Sequence, residues 1–400
     1  MCSKKLAATL ERELWRTKQH PLDVDLYTVD IEIPSNQEAW ELLRRESHRW
    51  RTLSCSEACT VSCLREPISC PALETTKAEL ILPDMPRTAG YSNPSGEILV
   101  FSHVRHALNV RRVGVSVMDH YDPMRIRFPD CWRLTHLTLT IFFGENVINL
   151  LRKVMEQVSP TLEVLRISVD EGMELTRPTS PFAYPFSKLR KLELHQEAFC
   201  FITLIEAPVL AFMRVKDANL GEIEDSDSFP TLSEALGKVA GLKTLAKLEL
   251  ICADVEDASA LLATLRELPS IEWLRLADIP RHSGCLLSHD MLAGLTRGGT
   301  SDDSVDTPLN ALCPLPNLST LFVYFEEFDA EDEEAEVAAS LRRLALSRHP
   351  SVVHQEDEGS NSLRPLDAFH ATYERGEHFA ADVVPSWGER FEEDKEWDED

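Results

Sequence analysis

The chain has 400 residues, 43% of them hydrophobic, with 67 Asp and Glu against 41 Lys and Arg and a formal net charge of −26. It is too long for one ordinary compact domain, and its charge argues against broad attachment to nucleic acid or to an anionic membrane, both of which would repel it. Much of the acidity is local: residues 321–400 carry 23 acidic and 7 basic residues, a net of −16.

In chain order, residues 3–19 read as a helix, with Leu6, Leu10 and Leu14 four apart on one face, and Pro21 ends it. Met1 to Trp15 carries Lys4 and Lys5 but then Glu11, Arg12 and Glu13, so it lacks the unbroken apolar run of a secretory signal. Leu22-Asp23-Val24-Asp25-Leu26 alternates apolar and acidic residues as a half-exposed strand should. A second helix, about Asn36 to Glu46, follows, and then Ser47-His48-Arg49-Trp50-Arg51-Thr52-Leu53, in which Trp50 is expected to be buried and the arginines exposed. Cys55, Cys59, Cys63 and Cys70 come next; their spacing lacks the doubled C-x2-4-C pattern of a structural zinc site. The other cysteines are mostly single and in apolar company, which fits reduced thiols.

From residue 73 onward one frame recurs, L-x-x-L-x-L. It is clearest in Leu134-x-x-Leu137-x-Leu139, Leu189-x-x-Leu192-x-Leu194, Leu245-x-x-Leu248-x-Leu250 and Ile271-x-x-Leu274-x-Leu276. Looser copies start at 73, 110, 162, 210 and 318. The frame is that of a leucine-rich repeat, a unit that cannot bury its apolar face until a neighbour stacks on it. The expected fold is therefore an α/β leucine-rich-repeat solenoid, an irregular horseshoe with parallel strands on the concave face and helices or loops outside. Helical returns are readable at Glu145 to Val158, after a capping box at Thr231-Leu232-Ser233-Glu234, and from a cap at Asp257 through Ala258 to Leu268. The asparagine that usually satisfies the turn at position nine is replaced by Phe142, Glu197, Ala218, Ala253 and Ile279, so the turn backbone must be satisfied otherwise. The predicted organisation is an N-terminal helix and strand cap over 1–60, irregular repeats over 61–328, an acidic helical cap over 329–384 and a disordered acidic tail over 385–400. Loops 221–228 and 298–308 lack a core-forming pattern and are expected to be mobile.

The order helix, Pro21-Leu22-Asp23-Val24-Asp25-Leu26, helix, Ser47-His48-Arg49-Trp50-Arg51-Thr52-Leu53, then irregular repeats resembles the region downstream of the F-box in fungal F-box/leucine-rich-repeat proteins. The resemblance covers roughly residues 5–325. It implies a receptor that docks through an F-box on a Skp-type adaptor of a cullin ubiquitin ligase while its repeats hold a protein target. An F-box of about forty residues would precede Trp15, where only fourteen residues stand. The sequence is then either a fragment of such a receptor or a protein that keeps only the recognition half.

Within the frame, positions three, five and seven point away from the core because side chains alternate across a strand. Over the eight stronger repeats these 24 positions hold seven Lys or Arg and two acidic residues, a basic face on an acidic chain. Partner-binding candidates on it are Arg112, His136, Arg166, Lys191, His195, Phe212, Arg214, Lys216, Lys247, Trp273, Arg275, Phe322 and Tyr324, because Arg and aromatic residues dominate binding hot spots. The expected partner is a protein with an acidic or phosphorylated segment, with no nucleic acid, membrane, metal or cofactor. No G-x-S-x-G elbow, G-x-x-x-x-G-K-[ST] loop, G-x-G-x-x-G turn or H-E-x-x-H helix is present, and His103-x-x-His106 has no third ligand suggested nearby. The chain therefore reads as a non-enzymatic recognition protein of the cytoplasm or nucleus, with a stand-alone repeat scaffold as the alternative to a ligase receptor.

Overall fold

A computed structural model describes residues 2–26, 34–55, 67–81, 97–99, 101, 104–118, 125–143, 154–169, 183–218, 231–239, 242–253, 255, 257–278, 286–296, 315–325, 331–349 and 364–373. The loops 221–228 and 298–308, the tail 385–400, Cys59, Cys63, His103 and the first part of the helix expected from Glu145 lie outside these residues; 154–158 are helical. The fold is mixed α/β with parallel strands. The chain divides into two compact units, one of Met1–Leu192 with Leu204–Pro208, the other of Glu193–Thr203 with Val209–Asp400.

The first unit opens with helix α1 (Cys2–Arg16), strand β1 (Leu22–Asp25), helix α2 (Pro34–Arg45) and strand β2 (Trp50–Cys55). Strands β3 (Thr75–Ile81), β4 (Arg112–Met118), β5 (His136–Phe143) and β6 (Val164–Val169) follow, and β1 to β6 pair in sequence order, all parallel. Three two-residue or three-residue strand pairs occupy return segments: Ile68–Ser69 with Val104–Arg105, Glu97–Leu99 with Arg125–Arg127, and Tyr184–Pro185 with Ile205–Glu206. Strand β7 (Lys191–Gln196) begins in the first unit and ends in the second.

In the second unit strands and helices alternate: β8 (Phe212–Lys216), α3 (Leu232–Val239), β9 (Lys247–Ile251), α4 (Ala258–Arg266), β10 (Trp273–Asp278), α5 (His289–Leu295), β11 (Thr320–Phe325), α6 (Glu331–Ser347) and β12 (Ala368–Tyr373). Strands β8 to β12 pair parallel in order, and the helices pack each on the next. Every strand from β3 to β11 starts two residues after a frame start. Strand β12 does so as well, on Leu366-x-x-Phe369-x-Ala371, a tenth frame that the sequence reading does not assign.

The frame's first, fourth and sixth positions form the core. Leu210, Met213, Val215, Leu245, Leu248, Leu250, Ile271, Leu274 and Leu276 are completely buried, each side chain contributing roughly 1.5–3 kcal/mol relative to exposure. The main chain locks successive frames together at position two. In the first unit the N–H groups of Glu74, Arg111, Thr135, Glu163 and Arg190 donate in turn to the carbonyls of Arg51, Glu74, Arg111, Thr135 and Glu163, at 2.8–2.9 Å. In the second, Ala246, Glu272, Ser319 and Asp367 donate to Ala211, Ala246, Glu272 and Ser319 at 2.7–3.0 Å.

The turn after the strand needs no asparagine. Gln196, Asp217 and Cys252 each stand at position eight with φ of 58°, 52° and 50°. This left-handed bend aims the N–H groups of Asp217 and Cys252 at the carbonyls of Ile251 and Ala277 in the neighbouring frame, at 2.8 and 2.7 Å. The side chains freed from that task at position nine, Ala218 and Ala253, are buried instead.

The return helices carry the expected caps. Thr231 and Glu234 exchange reciprocal backbone bonds of 3.2 Å, and Asp257 accepts from the Ser259 N–H at 2.8 Å. The shortest frame spacing, from 189 to 210, has no room for an α-helix and returns through the 3-10 helix Glu197–Leu204. α4 and α5 approach so closely at Gly294 that a Cβ there would sit 2.1 Å from Leu262.

Two local expectations are corrected. In α1 the Leu6 stripe is not the buried face: Leu6 is exposed, Leu10 and Leu14 are partly so, and Ala7 is buried. Trp50 is fully buried against Trp40, with ring centroids 5.9 Å apart, but Arg49 is buried with it. Its guanidinium pairs with Glu46 at 3.2 Å and donates to the Thr17 carbonyl at 2.6 Å, placing a cation at the negative end of α1. Among the described residues no helix is long and apolar enough to cross a membrane.

Candidate interaction face

Parallel in-register pairing arranges the outward positions in rows that run across the strands. In the first unit, position three gives the row Thr75, Arg112, His136, Val164 and position five the row Lys77, Gly114, Thr138, Arg166. Ser116, Thr140 and Ser168 make a third row. The floor is thus mainly small and hydroxyl-bearing, and the Lys77 stem lies where a Cβ on Gly114 would point, its Cγ 3.2 Å from that position. Of the candidates in this unit, Arg112 and His136 are direct register partners, and His136 Nδ1 lies 2.9 Å from Thr135 Oγ1. Arg166 belongs to the adjacent row, and Lys191 stands at the start of β7.

The second unit has a different surface. Position three runs Phe212, Lys247, Trp273, Thr320 and Ala368; position five runs Arg214, Glu249, Arg275, Phe322 and His370; position seven begins Lys216, Ile251, Ala277 and Tyr324. Glu193 and His195 on β7 belong to the same unit.

The central row is electrostatically ordered. Glu193, fully buried, lies 3.7 Å from the Arg214 guanidinium, and Arg214 Nε hydrogen-bonds Glu249, itself 4% exposed. Two outward carboxylates, read from the sequence as minor charges on a basic face, are therefore buried partners of Arg214. His195 Nε2 lies 3.9 Å from Glu193, and Arg214 is engaged by the two buried carboxylates. Lys216 lies 3.6 Å from Asp217. Among the described residues, Arg275 forms neither a hydrogen bond nor an ion pair, although it stands in register between Glu249 and Phe322 on a half-buried site.

Beyond Arg275 the row turns aromatic. Trp273 and Phe322 have ring centroids 5.0 Å apart at 44°, and Phe322 stacks on His370 at 4.9 Å and 18°. Across the face the Phe212 ring holds the Arg214 guanidinium 5.7 Å from its centroid. His370 was missed by sequence reasoning. Its signal is the weak frame Leu366-x-x-Phe369-x-Ala371, which places it at position five.

Among the described residues, no three His, Cys, Asp or Glu side chains are placed to hold a metal. Cys55 and Cys70 point their thiols at the carbonyls of Lys77 and Ile68, and His106 Nδ1 meets Ser69 Oγ at 3.0 Å. Burial pushes the thiols of Cys70, Cys200 and Cys252 up to about 12, so they carry no nucleophilic thiolate at neutral pH. No family model matches the sequence, and no curated protein matches it.

Proposed function

We propose that this chain is a non-enzymatic protein-recognition module of the leucine-rich-repeat type, a solenoid whose strand faces bind a protein target, similar in plan to the substrate-binding part of an F-box ubiquitin-ligase receptor. The observation that carries the reading is the outward surface of the second unit: half-buried Trp273 and His370, each in contact with half-buried Phe322, beside Arg275, at positions where the repeats do not need large apolar groups for their own core. Solvent-facing strand positions ordinarily hold small or polar residues, and a cluster of aromatics with Arg has the composition of a binding hot spot. A receptor of this kind forms no covalent bond; it holds its target near the enzyme that does and so raises effective concentration. The expected setting is the cytoplasm or nucleus, with no membrane or nucleic-acid partner.

Affinity capture on the full chain tests this. A protein retained by the wild type should be lost when Arg275→Gln and Phe322→Leu are combined, with melting unchanged; equal retention by a folded double variant would sink the proposal. Recovery of a Skp-type adaptor with the chain supports the ligase receptor. Its absence while the target is still retained assigns a stand-alone scaffold.

A further inference from the structure

Resting on that reading, we infer that the partner is a protein segment in which an aromatic side chain lies next to an Asp or Glu, the ring covering Trp273, Phe322 and His370 and the carboxylate pairing with Arg275. The charges of the face narrow the choice. Arg214 is held between two buried carboxylates and Lys216 by Asp217, whereas Arg275 keeps its charge uncommitted among the described residues. On a chain of net charge −26 an uncommitted, half-buried guanidinium beside a ring stack is a local site of opposite sign. A ring laid over the stack would exclude water from the Arg275 pair and strengthen it, because charge-assisted bonds gain as the local dielectric falls.

The same geometry favours a carboxylate over a phosphoryl group. Glu249 is the register neighbour of Arg275, one strand spacing of roughly 4.8 Å away. A monoanion matches the charge of the Arg275 guanidinium. A phosphoryl group of about −1.5 to −2 would bring its surplus charge against the buried Glu249. Single-stranded nucleic acid also stacks bases on aromatic platforms, but its backbone is repelled by a chain this acidic.

Panning a phage-displayed library of random dodecapeptides on the immobilised full chain tests the assignment. Enriched peptides should carry Phe, Tyr or Trp within three residues of Asp or Glu, and recovery should fall about tenfold, equivalent to 1.4 kcal/mol, on Arg275→Gln and again on Phe322→Leu. Enriched peptides lacking either acid or ring, or recovered equally by both variants, overturn the inference while leaving protein recognition standing. Tighter binding of a fluorescent ten-residue oligothymidylate than of any enriched peptide overturns it too. Enrichment seen only after the acidic residues of 392–400 are changed to Asn and Gln in the full chain makes the chain's own C-terminus the occupant and rules out a partner in trans. Failure to enrich any peptide, together with failure of affinity capture, removes the recognition reading itself.

Discussion

The strand faces of the two units are built on one frame and differ in almost everything they present. The first offers Thr75, Gly114, Ser116, Thr138, Thr140 and Ser168, with basic residues set singly among them. The second offers a buried Glu193–Arg214–Glu249 network and then a ring stack. Both cores are mainly aliphatic at the same positions, so the difference does not arise from the core. It shows that the outward positions are where these frames diversify, and that a basic residue at position five can serve architecture on one strand and remain unengaged two strands away.

The sharpest way to break this contrast is Arg214→Met. It leaves two carboxylates buried without their cation, so stability should fall by about 3–5 kcal/mol, read as a lower urea midpoint. A loss no greater than that of Arg275→Gln would mean that the network is not structural. Next in size is Gly294→Ala, where the new methyl meets Leu262 between α4 and α5; overpacking there should cost roughly 1–3 kcal/mol. The matching change in the first unit, Gly114→Ala, meets only the flexible Lys77 stem and should move the midpoint far less.

Cysteine reactivity gives a finer test. With iodoacetamide at pH 8, mass mapping should find the exposed Cys131 alkylated while Cys70, Cys200 and Cys252 wait for denaturant. Prompt labelling of Cys252 would show that the turn after β9 opens readily.

The smallest effect lies at the edge of the first unit. The Arg51 guanidinium beside Asp23 holds that carboxyl below its usual range. A carboxyl with a folded pKa below its unfolded one stabilises above about pH 4 and loses that contribution as pH falls through the folded value. Asp23→Asn should therefore lower the urea midpoint slightly at pH 6, with the gap closing toward pH 2. The pair is half exposed and screened, so a large gap would mean that β1 is held more tightly than its short ladder suggests.

The strands were legible because Leu, Val and Ile at a fixed 1-4-6 spacing have one purpose, burial on one side of a strand. The caps were legible for the same reason, since Thr231 with Glu234 and Asp257 act on backbone only a few residues away. Strand β12 was not, because Phe369 and Ala371 replace the two inner leucines and an acidic helix precedes it. The state of Arg214 was not, because its partners lie on separate strands and only the lateral register brings them together. Arg49 illustrates the same limit: its burial depends on the end of a helix 32 residues earlier in sequence.

The column of amide-to-carbonyl bonds at position two has a consequence for how such a molecule can change over time. Because neighbouring frames are registered by peptide groups, which every residue supplies, and not by side chains in the connecting segments, such a segment can lengthen or shorten with little penalty to its neighbours. Frame spacings within the two units run from 24 to 48 residues, yet each pair of adjoining frames described there keeps the same hydrogen bond. Insertions are thereby confined to the segments between strands, and outward residues can be exchanged one row at a time on a scaffold that stays put.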